Sequence, residues 1–163
     1  KTRVGGIQGG SGRVENCINK GTITADCGSA SGIGGIAGFH SNSYQMASCE
    51  NYGDVIAKNN KVYPSGLIGQ FGNAANTATT NCKVNCTVQA PAGTTDIGML
   101  VANFNGTTKA ISIGTAASPC YVAGTLKIGD TATVITEEQL NKTYMFGRSN
   151  EADIHTLYVK LLE

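Results

Sequence analysis

The chain has 163 residues, enough for one domain, and its net charge of +1 at pH 7 excludes the strong positive field with which proteins bind nucleic acid or an anionic membrane. Only 14% of the residues are charged and 6% are aromatic, while Gly occurs 22 times, a composition typical of a turn-rich β protein. No apolar run approaches the roughly 20 residues that a membrane-spanning helix needs.

In chain order, the dominant feature is a phrase in two halves. The first half, apolar-Gly-Gly-apolar-x-Gly, occurs at 4–9 and 33–38, with weaker copies at 64–69 and 97–102. The second half, Cys-x-x-x-Gly-x-apolar, starts at cysteines that are separated by 32, 33 and 38 positions, which are Cys17, Cys49, Cys82 and Cys120. A period of this size predicts stacked units, each too small to bury its own apolar face.

The apolar pieces of each unit are short, rich in Ile and Val, and bounded by Gly and Asn, so they predict strands rather than helices. We therefore expect an all-β fold, a parallel β-helix or β-solenoid of about four coils. The predicted coils are residues 1–31, 32–63, 64–95 and 96–128, and a C-terminal cap follows at 129–163.

Stacking at about 4.8 Å would place equivalent residues in columns. Three apolar columns are predicted as the core: Ile7, Ile36, Leu67 and Leu100; Ile23, Val55, Val88 and Leu126; and Ala25, Ala57, Ala90 and Ile128. Phe39, Phe71 and Phe104 predict an aromatic column inside the coil, and a sugar-stacking platform is the alternative.

The four leading cysteines predict a further inward column of reduced thiols, a structural Cys column. Disulfides between adjacent coils are the alternative, because the strand spacing falls within the Cα range of a disulfide. Cys86 departs from the pattern, since it stands where the other copies have Gly21, Gly53 and Gly124. The glycines are expected at corners that need positive φ or a close backbone approach.

These phrases resemble GLUG-motif repeats, on the residues Gly-Gly-Ile-Gln-Gly, Gly-Gly-Ile-Ala-Gly and Gly-Leu-Ile-Gly, each followed by Asn-Cys or Ser-Cys and then Gly-x-Val/Ile. The resemblance covers about residues 4–128. It implies a bacterial secreted or outer-surface protein with a β-solenoid fold, in a family that offers no catalytic residues to transfer. The fourth copy departs from the motif, with Met99 and Ala102 in place of glycines.

Two outward polar columns form the predicted ligand-contacting surface. The first holds Thr22, Asp54, Thr87 and Thr125, and the second holds Ile18, Glu50, Lys83 and Tyr121. A solvated face is the alternative interpretation for both, with a surface ion pair between Glu50 and Lys83 worth under about 1 kcal/mol.

No catalytic set, metal site or cofactor site is predicted. His40 and His155 have no fixed partner in the repeat scheme, and no Cys-x-x-Cys pair suggests zinc. The residues 130–132 (DTA) resemble an O-glycan acceptor of some anaerobic gut bacteria, and a turn entering a strand is the alternative.

Residues 129–163 are expected to leave the repeat geometry and to cover the last coil. Residues 132–135 predict a strand, residues 136–140 a helical turn with Thr136 as N-cap and Gln139 in a capping box, and residues 154–162 the last strand. The covering side chains are expected to be Tyr144, Phe146, Leu157, Val159 and Leu161.

The sequence thus favours a structural or adhesive module at the bacterial cell surface or outside the cell, presenting a solenoid face to a glycan or to a host or bacterial surface protein. It is expected to be part of a larger polypeptide and not an enzyme. The alternative is a β-helix enzyme that degrades polysaccharide, whose mark would be three or more acidic or basic side chains in one cleft.

Overall fold

The structure is a computed structural model that describes residues 1–41, 43–72, 79–105, 111–147 and 156–163. It confirms an all-β fold, since most of these residues lie in or between short strands. The strands of the first half are β1 (Arg3–Gly5), β2 (Val14–Glu15), β3 (Ile18–Asn19), β4 (Ile23–Ala25), β5 (Gly32–Gly34), β6 (Ala37–Ser41), β7 (Met46–Ala47), β8 (Glu50–Asn51), β9 (Val55–Ala57), β10 (Tyr63–Ser65) and β11 (Ile68–Gly72). Those of the second half are β12 (Lys83–Ala90), β13 (Val101–Asn105), β14 (Ser112–Ile113), β15 (Cys120–Ile128), β16 (Thr131–Val134), β17 (Thr156–Leu157) and β18 (Val159–Leu161), with a 3₁₀ turn at Glu137–Gln139 and one short helix, α1 (Lys142–Met145).

The strands pair in several separate sheets. Two three-stranded sheets have the orders β1-β5-β10 and β6-β11-β13, and two further pairs are β2-β7 and β14-β17. The largest sheet runs β3-β8-β12-β15-β16, with β4, β9 and β18 alongside. The described strand pairings are parallel except for β15 with β16, which is an antiparallel hairpin.

The register of these sheets places the copies of the phrase side by side. Ile33 pairs with Val4 on one side and with Pro64 on the other. In the largest sheet, the predicted column of four apolar residues is a continuous line of paired positions: Ile23, Val55, Val88 and Leu126. Val55 and Val88 are fully buried within it, so the column belongs to the core.

The paired glycines of the first half-phrase allow backbones to approach closely. A Cβ on Gly35 would lie 2.1 Å from the carbonyl oxygen of Gly66 and 2.2 Å from Asn51 Nδ2, and one on Gly34 would lie 2.0 Å from the carbonyl oxygen of Ala37. Neither glycine has positive φ; of the three glycines expected at second-half corners, only Gly124 has it, at 106°. The glycines of the first half-phrase therefore allow close backbone contact and do not form left-handed turns.

The residue before each of the first three column cysteines makes the left-handed turn instead. Asn16, Ser48 and Asn81 have φ of 53°, 54° and 51°. Each following thiol donates to the carbonyl oxygen two residues earlier: Cys17 to Glu15 at 3.2 Å, Cys49 to Ala47 at 3.4 Å and Cys82 to Thr80 at 3.4 Å. In this chain, the dipeptides Asn-Cys and Ser-Cys therefore mark the left-handed corners in the sequence.

A buried asparagine pair explains why Cys86 breaks the pattern. Asn51 donates to the carbonyl oxygen of Gly53 at 2.9 Å and accepts from Asn19 Nδ2 at 2.8 Å, which folds the chain into a turn between β8 and β9. The residue paired with Asn51 in the next segment is Val84, which cannot form these bonds. Strand β12 consequently runs straight through, and the glycine is not needed at Cys86.

The predicted aromatic column is wrong at its first member. Phe71 pairs with Phe104, as expected, but its partner in β6 is His40, while Phe39 pairs with Gln70. Phe39 is half-buried, and Arg3 lies over its ring at 3.8 Å from the centroid. The column that forms is His40, Phe71, Phe104 and Phe146, with successive ring centroids 5.7, 6.2 and 5.1 Å apart.

His40 is a packed core histidine, and His155 lies outside the described residues. The His40 ring is 1% exposed, its Nε2 lies 3.1 Å from the carbonyl oxygen of Tyr44, and its Nδ1 is buried with no hydrogen-bond partner. Burial lowers the pKa of His40, because a charged ring would lose its hydration and would place an unmatched N–H at Nδ1.

We expect the free energy of unfolding to fall as pH falls through 6.5. A histidine with a lowered pKa in the folded state takes up its proton more readily when unfolded, so its contribution is complete above the unfolded pKa of about 6.5 and is lost below it. Urea unfolding between pH 8 and pH 5 measures this. His40→Phe should flatten the slope between pH 7 and pH 5.5, while His155→Phe, at the only other histidine of the sequence, should keep it. An equal slope for wild type and His40→Phe would contradict the assignment.

The expectation that residues 129–163 leave the repeat geometry is wrong for much of the segment. Strand β18 pairs in parallel with β15, aligning Val159 with Cys120 and Lys160 with Tyr121. Leu100 N–H donates to the carbonyl oxygen of Met145 at 2.9 Å, and β17 pairs in parallel with β14. The segment thus adds parallel strands to these sheets, because its backbone continues the same hydrogen-bonding ladders.

Residues 129–140 do leave the parallel pattern, as predicted. Gly129, with φ of 58°, begins the two-residue turn that folds β16 back on β15. The 3₁₀ turn that follows has the predicted capping box, in which Thr136 N–H donates to Gln139 Oε1 at 3.1 Å. Phe146 is buried, and the other expected covering side chains are half-buried against the core: Tyr144, Leu157, Val159 and Leu161.

Candidate functional site

The candidate site is the outward face of the largest sheet, which we call the outer face. Along β12, side chains alternate between the core and this face, as a half-buried strand requires. The buried set is Val84, Cys86, Val88 and Ala90, and the outward set is Lys83, Asn85, Thr87 and Gln89.

The first row of the outer face aligns the predicted polar column. Lys83 pairs with Glu50 in β8 and with Tyr121 in β15. On its other side, Glu50 pairs with Ile18 of β3. The row continues to Lys160 in β18, which the sequence interpretation did not include. Four strands therefore bring an acid, two lysines and a tyrosine side by side.

Glu50 is occupied by protein groups. Its carboxylate lies 3.2 Å from Lys83 Nζ and accepts a hydrogen bond of 2.5 Å from the hydroxyl of Tyr52. The Tyr52 hydroxyl, and then Lys83, hold the pKa of Glu50 below its ordinary value, and the same bond raises the pKa of Tyr52. These contacts orient Lys83 rather than leaving Glu50 open to a ligand.

The second row holds the predicted threonine column. Thr87 and Thr125 pair directly across β12 and β15. Asp54 Oδ1 accepts a 2.8 Å bond from Thr87 N–H, so this carboxylate is used within the sheet. Thr22 is exposed and precedes Ile23, whose N–H donates to the carbonyl oxygen of Asp54 at 2.8 Å. The row is an ordered polar strip, and its contact with a ligand stays a prediction.

The first row ends in a groove of about 770 Å³ between the outer face, β18 and the 3₁₀ turn, and we call it the lysine–tyrosine groove. Its polar lining includes Lys83, Tyr121, Lys160, Glu137 and Glu163. Apolar atoms of β18, from Val159 and Leu161, also line it. The structure thus brings two predicted site residues, Lys83 and Tyr121, together with three that sequence reasoning missed.

One signal could have indicated Lys160. The residues 159–161 (VKL) repeat the inward-outward-inward pattern of residues 120–122 (CYV) in β15. The predicted Cys column does not show this similarity, because Val159 stands at the position that cysteine occupies in the other copies. No comparable signal exists for Glu137 and Glu163, which reach the groove through the turn and the chain end.

The Cys column is internal and separate from this groove. Lys83 N–H donates to the carbonyl oxygen of Cys49, and Tyr121 N–H to that of Cys82, so the thiols stand one position before the first row. Cys49, Cys82 and Cys120 are fully buried and Cys17 is half-buried, and each of the four thiols donates to a backbone carbonyl oxygen. Their reduced state stays a prediction, and burial raises the pKa of Cys86 outside the column to about 12.

A second cavity of about 470 Å³ lies between the β15–β16 hairpin and α1. Its floor is apolar, from Ile97, Leu126 and Phe146, and Thr131 and Thr133 stand at its rim. Thr131 is the central residue of the sequence at 130–132: Asp130 lies in the turn and Thr131 begins β16. Glycosylation at Thr131 stays a prediction.

Among the residues the structure describes, no three His, Cys, Asp or Glu side chains are grouped so as to hold a metal ion. Within the same ranges, none of the helical segments has the length and apolar character to cross a membrane. Comparison with protein-family models, with curated proteins and with solved structures found no match for this chain.

Proposed function

We propose that this chain is a non-catalytic structural and adhesive module of a bacterial surface or secreted protein, related to GLUG-motif repeat proteins. Its parallel sheets are the sides of one β-solenoid, and its outer face is presented to a glycan or a protein partner. The resemblance of the repeated phrase and the side-by-side register of its copies support this proposal.

The observation that carries the proposal is the outer face itself. Its polar groups stand in straight rows on an extensively paired sheet, and a row ends in an open groove. Such a surface is pre-organised for contact, because its side chains are set by strand register rather than by a loop. Binding to it would therefore require little ordering of the protein.

Binding of the purified chain to arrayed bacterial and host glycans, and to extracellular-matrix and surface proteins, tests this function. We expect saturable binding that is reduced at least fivefold by Lys83→Glu with Thr87→Glu, two changes on the outer face. The matched control is Lys1→Glu with Thr2→Glu, which alters two exposed residues outside the largest sheet. Absence of saturable binding to every glycan and protein would contradict an adhesive role.

A second candidate function is cleavage of polysaccharide, which the lysine–tyrosine groove favours in one respect. Four charged side chains meet there, Lys83, Lys160, Glu137 and Glu163. A glycosidase keeps its general acid protonated in a buried, apolar setting, whereas Glu137 and Glu163 are exposed. Release of reducing ends or unsaturated products from a polysaccharide panel would establish the enzyme and overturn the non-catalytic proposal.

A further inference from the structure

We propose that the lysine–tyrosine groove is a sugar-binding subsite, in which Tyr121 stacks against a pyranose ring of a neutral glycan. This inference rests on the proposed adhesive function and specifies the ligand class and the place of binding. Its first basis is position, because β12, β15 and β18 place Lys83, Tyr121 and Lys160 on adjacent strands at one register.

Adjacent parallel strands lie about 4.8 Å apart, so Lys83 and Lys160 stand beside Tyr121 in the row, one on each neighbouring strand. This arrangement limits the side-chain freedom of Tyr121 before any ligand arrives. Glu50 holds the Lys83 ammonium from the far side at 3.2 Å, which fixes that flank further. The entropy lost on binding is consequently small.

The chemistry of the groove matches a sugar ring. The face of an aromatic ring carries partial negative charge and attracts the C–H groups on the apolar face of a pyranose. Lys160, Glu137 and Glu163 supply charged donors and acceptors around the rim for hydroxyl groups. Lys160 is exposed, and it forms no ion pair with any residue that the structure describes.

The charge and the size of the groove restrict the class of ligand that it can bind. Two lysines and two glutamates line the groove, so their formal charges cancel and give no net attraction for a polyanion. The volume of about 770 Å³ lies within the range of small-molecule sites and suits one or two sugar residues of a longer chain. A neutral glycan therefore fits better than a uronate or sulfated polymer.

A glycan array carrying neutral, uronate and sulfated oligosaccharides tests the inference on the intact chain. We expect binding to neutral glycans that weakens at least tenfold in Tyr121→Ala and at least threefold in Lys160→Glu. Lys160 is exposed, so the second variant keeps the test decisive if Tyr121→Ala does not fold. Tyr44→Ala is the matched control, since Tyr44 is 47% exposed and does not line the groove.

The outcomes separate the site from the function. If glycan binding is unchanged in folded Tyr121→Ala and in Lys160→Glu, the subsite is wrong while the adhesive function stands. Binding only to uronate or sulfated glycans, falling steeply with salt, overturns the neutral ligand class. If no glycan binds but a surface protein does, the subsite is overturned and the adhesive function survives; if nothing binds, both are overturned.

Discussion

A chain that ends at Ile128 is expected to lose cooperative folding and to aggregate. The removed residues 129–163 bury three large apolar side chains, Ile135, Met145 and Phe146, at 4% exposure or less. Each is worth roughly 1.5–3 kcal/mol on burial, and their sum approaches the 5–15 kcal/mol that holds a typical domain folded. Truncation also leaves β15 as an open edge, which is a template for pairing with other chains.

Thermal unfolding followed by circular dichroism, together with size-exclusion chromatography, measures this effect. The matched control is a chain that ends at Leu162, which loses only the exposed Glu163 and should change the free energy of unfolding by about 0.5 kcal/mol or less. If the chain ending at Ile128 stays monomeric with an unchanged Tm, residues 129–163 are a tail and do not stabilise the stack.

Gly35→Ala is expected to destabilise the protein by at least about 3 kcal/mol, at or beyond the upper end of ordinary overpacking. The new methyl group would lie 2.1 Å from the carbonyl oxygen of Gly66 and 2.2 Å from Asn51 Nδ2, and both atoms belong to the buried interior. Relief would require two paired layers to separate or the Asn51 hydrogen bonds to break. For a chain of this length the shift corresponds to a fall in Tm of at least about 6 °C.

The control substitution is Gly28→Ala. A Cβ on Gly28 would meet no atom within 4 Å, and Gly28 has no positive φ, so its Tm should stay within about 2 °C of wild type. Equal Tm values for Gly35→Ala and Gly28→Ala would show that the glycines of the first half-phrase are not there for backbone approach.

Short-range pattern predicted much of the architecture. Alternating apolar residues and regular glycines predicted strands, and the line from Ile23 to Leu126 forms in the predicted register. The alternation of apolar residues and the regular glycines are local patterns that recur in each copy of the phrase, so an ambiguous copy can be interpreted from the others. The capping box at Thr136 was predictable for the same reason, since it needs only residues within one turn.

The aromatic column shows where such reasoning fails. Phe39 and Phe71 lie 32 positions apart, but the phrase copies at 33–38 and 64–69 lie 31 positions apart, and β6 and β11 pair at the phrase spacing, which aligns His40 with Phe71. A shift by one residue exchanges the two faces of a strand, so Phe39 leaves the core and His40 enters it. The alignment of the phrase, and not the spacing of the phenylalanines, therefore gives the register of these two strands.

The groove shows the same limit at longer range. Lys83, Tyr121, Lys160, Glu137 and Glu163 are separated by up to half the chain, and only Lys83 and Tyr121 share a repeat position that the sequence displays. Lys160 joins them because backbone hydrogen bonds place β18 beside β15 although the cysteine and glycines of the phrase are absent there. Main-chain pairing does not depend on side-chain identity, so a strand that lacks the cysteine and the glycines can still pair at this position.

By itself, the sequence predicted the strand content and most of the residues that face inward in the largest sheet, because burial imposes a period that the side chains must follow. The tertiary structure alone decided the parallel pairing of β18 with β15 and the residues that meet in the lysine–tyrosine groove. Those features depend on which backbones pair across long separations in the sequence, and this pairing is a property of the packed chain rather than of any local segment.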